Sequence, residues 1–113
     1  YGHLAGRMVV REMGVMFRSV LRTSDVAGLY GGDEAVIAFP ETALDDAALL
    51  AEQLRTTVAE RRFEHDGNEF SVTISQGLAQ CPEHGRTAEN LISAADGALY
   101  AAKAAGRNCV RTA

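Results

Sequence analysis

Apolar positions recur at spacings of three and four through residues 4–21, "LAGRMVVREMGVMFRSVL": Leu4, Met8, Val9, Met13, Met16, Phe17, Val20 and Leu21. That period predicts an amphipathic helix, which Gly6 and Gly14 weaken. The period then shortens. "VAGLY" at 26–30 predicts a strand, "GG" a turn, and "DEAVIAF" a returning strand. A glycine pair suits such a turn, because both central positions of a tight hairpin can need positive φ. Pro40 ends the second strand. Thr42 is the expected N-cap of the next helix, "ALDDAALLAEQLRTTVAERR", with Asp45 and Asp46 in its first turn.

Asp66-Gly67 predicts a turn between a short strand near Phe63 and the strand "FSVTISQGLA". In the latter, Val72 and Ile74 alternate with Ser71, Thr73 and Ser75, so one face is apolar. "CPEHGR" is a loop. Thr87 caps a last helix, "AENLISAADGALYAAKAA", Gly106 takes its C′ position, and "RNCVRT" is an edge strand. The order is helix, strand, strand, helix, strand, helix, strand. A split β-α-β layout of ferredoxin type begins with a strand. One strand placed in front completes the pattern, so the expected fold is α+β and ferredoxin-like: an antiparallel sheet flanked by helices, with the N-terminal strand missing.

Composition narrows the class. A chain of 113 residues suits one domain, 1–113, and 47% hydrophobic with 23% charged residues describes a globular protein. No apolar run approaches the roughly 20 residues that span a bilayer, and Tyr1 opens neither a basic nor an apolar leader. Cys81 and Cys109 are too few for a disulfide scaffold, so a reduced, cytoplasmic setting without direct membrane contact is expected. Cys81 and His84 have a metal-like spacing, but two ligands do not make a zinc site. A net charge of -4 argues against a nucleic-acid coat. Any anionic ligand must be held by local groups.

"LYGGDEA" is the segment with the most chemistry in it. Glycine lets a ligand approach the backbone, and successive N–H groups can hold phosphate oxygens. Asp33 and Glu34 beside them offer hard oxygen ligands of the kind Mg²⁺ takes while bridging phosphates. The plain alternative is a hairpin with solvated acids, and short glycine motifs match by chance often enough that spacing alone favours it.

A wider set of motifs resembles the GGDEF family, the diguanylate cyclase domains of bacteria. "YGGDEAVIAFP" looks like its signature, and "YGHLAG" at 1–6 like the start of its first helix. "RTSD", Arg22 to Asp25, stands where the family's RxxD product-inhibition motif belongs. "VTISQG" resembles its "vTiSiG" strand, and "AADGALYAAKAAGRNCV" its terminal "ADxALYxAKxxGRN" signature. These matches run from the first residue almost to the last.

The resemblance implies a nucleotidyl-cyclase-like fold and an enzyme of second-messenger signalling. Such domains condense two GTP into cyclic di-GMP with Mg²⁺ or Mn²⁺, one GTP per domain, so the active form is a homodimer. Carried over by residue, Gly31 and Gly32 lie against the phosphates. Asp33 is a metal ligand, and Glu34 assists at the metal or with the proton of the attacking hydroxyl. Lys103 and Arg107 hold the terminal phosphates, and Arg22 and Asp25 bind cyclic di-GMP at a regulatory site. Fused sensory or effector domains and a membrane-anchored parent are compatible with this. The plainer readings are a surface ion pair for Arg22 and Asp25, and complements to a helix dipole for Lys103 and Arg107.

The chain also departs from that pattern. The family's opening strand, with its "DxDxFKxxND" segment, is absent, and with it a metal-binding Asp and a guanine-reading Asn. Arg7 stands where a guanine-reading Asp is usual, Ala35 replaces the Phe of the signature, Leu29 stands where Arg is frequent, and Gln53 where a secondary regulatory Arg can occur. The 113 residues alone are therefore expected to be inactive. The alternatives are a degenerate module that binds cyclic di-GMP or GTP, and an interaction domain serving a fused partner.

Overall fold

The computed structural model describes residues 2–21, 25–31 and 34–113; of residues 2–7, 10, 20 and 26–31 it describes the backbone alone. The elements in chain order are α1 (Gly2–Val20), β1 (Val26–Gly31), β2 (Glu34–Ala38), α2 (Leu44–Glu60), β3 (Phe63–His65), β4 (Asn68–Phe70), β5 (Gln76–Leu78), α3 (Ala88–Ala104) and β6 (Val110–Thr112). The α+β class read from the sequence is what the chain adopts.

The apolar period of each helix becomes a buried stripe. In α2 the buried residues are Ala47, Ala51, Leu54 and Val58, spaced four, three and four. α1 lays Met16 into a core shared with Val58, Phe63 and Phe70, and Met8, Val9 and Met13 pack beside them. Phe63 and Phe70 are cross-strand partners in the β3–β4 hairpin, with rings stacked at 5.5 Å. Both turn residues of that hairpin take positive φ, Asp66 at 51° and Gly67 at 78°, as a two-residue tight turn requires. Arg61 clamps the corner: it pairs with Glu12 of α1 at 3.1 Å and sits over the Phe63 ring.

Strands pair two by two: β1 with β2 and β3 with β4 antiparallel, β5 with β6 parallel. α3 lies on β5 so closely that a Cβ on Gly77 would fall 2.1 Å from the Ala95 carbonyl oxygen and 2.3 Å from the Leu99 nitrogen. Only glycine permits that approach. Gln76 Nε2 donates to the Ala51 carbonyl at 2.7 Å and fastens β5 to α2.

Two expectations shift. The long strand "FSVTISQGLA" resolves into β4, an unladdered run at 71–75, and β5. Ser71, Val72, Thr73 and Ile74 still alternate between exposed and half-buried, with Val72 and Ile74 on the core. A strand, however, is defined by a partner, and that run has none among the described residues. The N-cap of α2 is Ala43 rather than Thr42 and makes no side-chain cap bond. The Thr42 hydroxyl donates to the Pro40 carbonyl at 3.0 Å, closing the turn before the helix. Asp45 and Asp46 do occupy the first turn, and Thr87 caps α3, accepting from the Asn90 N–H at 3.1 Å.

Candidate functional site

The hairpin of β1 and β2 carries the acidic corner. Its ladder runs Val26↔Ala38 to Leu29↔Ala35 and, after an irregularity, closes on Gly31↔Glu34. The last described pair of the ladder is thus Gly31 and Glu34. Gly32 and Asp33 lie outside the described residues, as does Arg22. Gly31 is described by its backbone. Asp25 is half-buried at the entry to β1. Ala35, in the register position opposite Leu29, is exposed. A small side chain there leaves no hole in the core, so the packing loss that a buried site would suffer does not apply.

Glu34 opens β2 and reaches the last turn of α3. Its Oε1 lies 3.6 Å from Lys103 Nζ. Both side chains are partly open to solvent, at 36% and 39% of their full exposure. α3 reaches this point because Thr87 starts it, Ala98 and Ala102 bury its inner face, and Gly106 at φ 111° ends it. Beyond the helix, Arg107 and Asn108 continue in the left-handed region, at φ 63° and 48°. Arg107 is exposed, and its N–H donates to the Ala102 carbonyl at 3.0 Å. The fold thus brings Glu34 and Lys103 together and sets Arg107 one turn past Lys103.

That corner has one chemistry on each wall. The carboxylate of Glu34 is a hard oxygen donor, and the two cations of the α3 end are donors for phosphate oxygens. No cluster of three metal-ligating side chains exists among the described residues. A lone carboxylate fits Mg²⁺ where phosphate oxygens and water complete the shell, which is how that ion is usually held beside nucleotides.

One further contact joins α2 to the loop after α3. Arg55 of α2 is gripped by Glu52 one turn before it, with Nε at 3.0 and 2.9 Å from the two carboxylate oxygens. Its Nη1 donates to Asn108 Oδ1 at 3.0 Å. The hydrogen bond from Arg55 holds the Glu52 carboxyl below its ordinary value of 4.5, with their charge attraction adding to it, and Glu52 raises Arg55 in turn. An i, i+3 acid and base on a helix are readable from sequence. The bond to Asn108, 53 residues away, is not.

Comparison with known proteins places the chain among related ones. The family model described as "Diguanylate cyclase, GGDEF domain" matches residues 1–109. Diguanylate cyclase A of Treponema denticola is 36% identical over 97% of this chain, which covers 30% of that protein. The response regulator PleD of Caulobacter vibrioides is 40% identical over 97% of the chain and 25% of its own length. The chain therefore spans roughly a quarter to a third of these relatives. Among solved structures, the GGDEF domain of DgcB from Caulobacter crescentus in complex with c-di-GMP superposes with a TM-score of 0.92 at 30% identity, covering 99% of this chain and 67% of that one. Diguanylate cyclase SiaD of Pseudomonas aeruginosa, in complex with its activator SiaC, gives 0.93 at 33% identity, covering 100% and 43%.

Proposed function

The chain belongs to the GGDEF-domain family, and from that premise we propose that it is the nucleotide-binding domain of a diguanylate cyclase, condensing two GTP to cyclic di-GMP. The observation that carries the reading is the 3.6 Å approach of Lys103 to Glu34. That approach supports the reading by bringing a lysine beside the acidic end of the signature hairpin.

In this reading Gly31 and Gly32 lie against the phosphates, and Lys103 and Arg107 hold the terminal ones. Asp33 and Glu34 would hold Mg²⁺ or Mn²⁺, which when bound supplies charge neutralisation at the phosphates. Two domains face each other, each holding one GTP. The 3′-oxygen of one nucleotide forms a bond to the α-phosphorus of the other, and the bond from that phosphorus to pyrophosphate breaks. The hydroxyl proton passes to a base, and in this reading Glu34 assists either there or at the metal. A second, symmetric transfer closes the ring. Because each domain brings one of the two nucleotides, a single copy binds GTP without turning it over. The setting is bacterial signal transduction in the cytoplasm, and no helix of the described residues is long and apolar enough to cross a membrane.

The test is incubation of the intact protein with GTP and Mg²⁺ and chromatography of the products. Cyclic di-GMP well above the level of an Asp33→Ala, Glu34→Ala variant is expected, and product no higher than that variant's overturns the reading. A second reading is favoured by the DgcB domain having been solved with c-di-GMP: a regulatory module that binds the dinucleotide through Arg22 and Asp25. Calorimetric affinity for cyclic di-GMP that is unchanged in Arg22→Ala rejects it.

A further inference from the structure

We propose that Arg55 is a positioning residue for nucleotide binding: through Asn108 it holds the backbone of the loop after α3 in the shape that presents Arg107 to the terminal phosphates. The inference rests on the reading of Arg107 as a phosphate ligand and adds a residue on a different helix to that site.

The loop needs outside support. Gly106, Arg107 and Asn108 take positive φ in succession, at 111°, 63° and 48°. Glycine does so freely and asparagine with some tolerance, but arginine rarely does. Within α3 the turn is secured by Gly106 N–H to the Lys103 carbonyl at 3.3 Å and Arg107 N–H to the Ala102 carbonyl at 3.0 Å. Those bonds fix the loop to its own helix. The side-chain tie to a second element is the 3.0 Å bond from Arg55 Nη1 to Asn108 Oδ1.

Arg55 is suited to hold and not to bind. Glu52 occupies its Nε and Nη2 edge and balances its charge. One nitrogen, Nη1, is left to face Asn108. The guanidinium is also partly shielded, at 22% exposure against 50% for Glu52. Its base is firm: α2 is fastened to β5 through Gln76 and Ala51, and β5 pairs with β6, which begins two residues after Asn108. The loop is therefore strung between α3, β6 and Arg55, with Arg107 at its outer bend.

Calorimetry on the intact protein tests this, with GTP and GMP as probes in Mg²⁺ buffer. A charged hydrogen bond lost from the terminal phosphates weakens GTP roughly tenfold in Arg107→Ala, while GMP, which lacks those phosphates, binds as before. Arg55→Ala is expected to weaken GTP by about threefold or more with GMP unchanged, and the double variant to bind no worse than Arg107→Ala. A merely structural role would weaken both nucleotides alike and would add to Arg107→Ala. Asn108→Gly keeps the backbone freedom and removes the acceptor, so it must reproduce Arg55→Ala, and it decides the matter if Arg55→Ala fails to fold. Unchanged GTP affinity in Asn108→Gly, or multiplicative losses in the double variant, overturns the proposal while leaving the phosphate reading intact. Unchanged GTP affinity in Arg107→Ala removes the phosphate reading and this inference together.

Discussion

Lys103 Nζ stands 3.6 Å from Glu34 Oε1, joining the end of α3 to the first residue of β2. On the proposed reading, a cation that holds phosphate is here paired with a carboxylate that faces a metal ion. Each ligand loosens that pair, and the metal and the phosphates have opposite needs of Glu34.

A reversal of sign follows for Glu34→Gln. Without divalent cation, Glu34 repels the triphosphate and occupies Lys103, so the variant should bind GTP more tightly. Half-exposed pairs of this kind are worth about 0.2–1 kcal/mol, which predicts a gain no larger than roughly fivefold. With Mg²⁺ present the variant should bind more weakly than the wild type. Calorimetry with and without Mg²⁺ reads both; the same sign in both buffers refutes the dual role.

Acid should weaken the Glu52–Arg55 pair on α2. The Glu52 carboxyl lies below its ordinary value of 4.5, chiefly through the hydrogen bond from Arg55. A depressed carboxyl contributes stability that is fully present above its unfolded value and is lost as pH falls through its folded value. The unfolding temperature of the wild type should thus exceed that of Glu52→Gln near neutrality, and the gap should shrink as pH drops below 4.5. A gap constant from pH 7 to pH 3 would count against the pair.

Thr87→Ala removes the side-chain acceptor of the Asn90 N–H at the start of α3. Loss of such a cap costs about 0.5–2 kcal/mol. Urea unfolding should show a lower midpoint with an unchanged slope, and Thr87→Ser should recover most of the loss.

Gly77→Ala places a methyl group against the backbone of α3, at 2.1 Å from the Ala95 oxygen and 2.3 Å from the Leu99 nitrogen. Overpacking costs about 1–3 kcal/mol where side chains can yield. Backbone yields less, so a loss at or above the top of that range is expected in urea unfolding. Gly97→Ala, where an added Cβ meets nothing within 4 Å, is the control and should be neutral or mildly stabilising through helix propensity.

The helices were legible because each carries an apolar stripe of its own. Leu54 and Val58, at 1% and 0% exposure, lie on the buried stripe of α2. Local turn chemistry was legible too, in Asp66-Gly67 and in Gly106 at the end of α3. Features that depend on distant partners were not. Val72 and Ile74 alternate as a strand should, yet pairing begins only at Gln76, where β6 comes alongside. Thr42 has the chemistry of a cap, but the turn at Pro40 engages its hydroxyl and moves the cap to Ala43. At the candidate site, motif order named Glu34, Lys103 and Arg107, and the fold brings the first two together. Nothing along the chain could pair Arg55 with Asn108, because that contact exists only once α2 packs beside β5 and β6.

The contact at Gly77 has a mechanical consequence. Main chain meets main chain there, with no compressible side chain between, so α3 cannot slide or roll without carrying β5 and β6 with it. Lys103 and Arg107 ride on that welded unit as a fixed jaw. A change in the gap between Lys103 and Glu34 is therefore a movement of the β1–β2 hairpin or of the two side chains themselves.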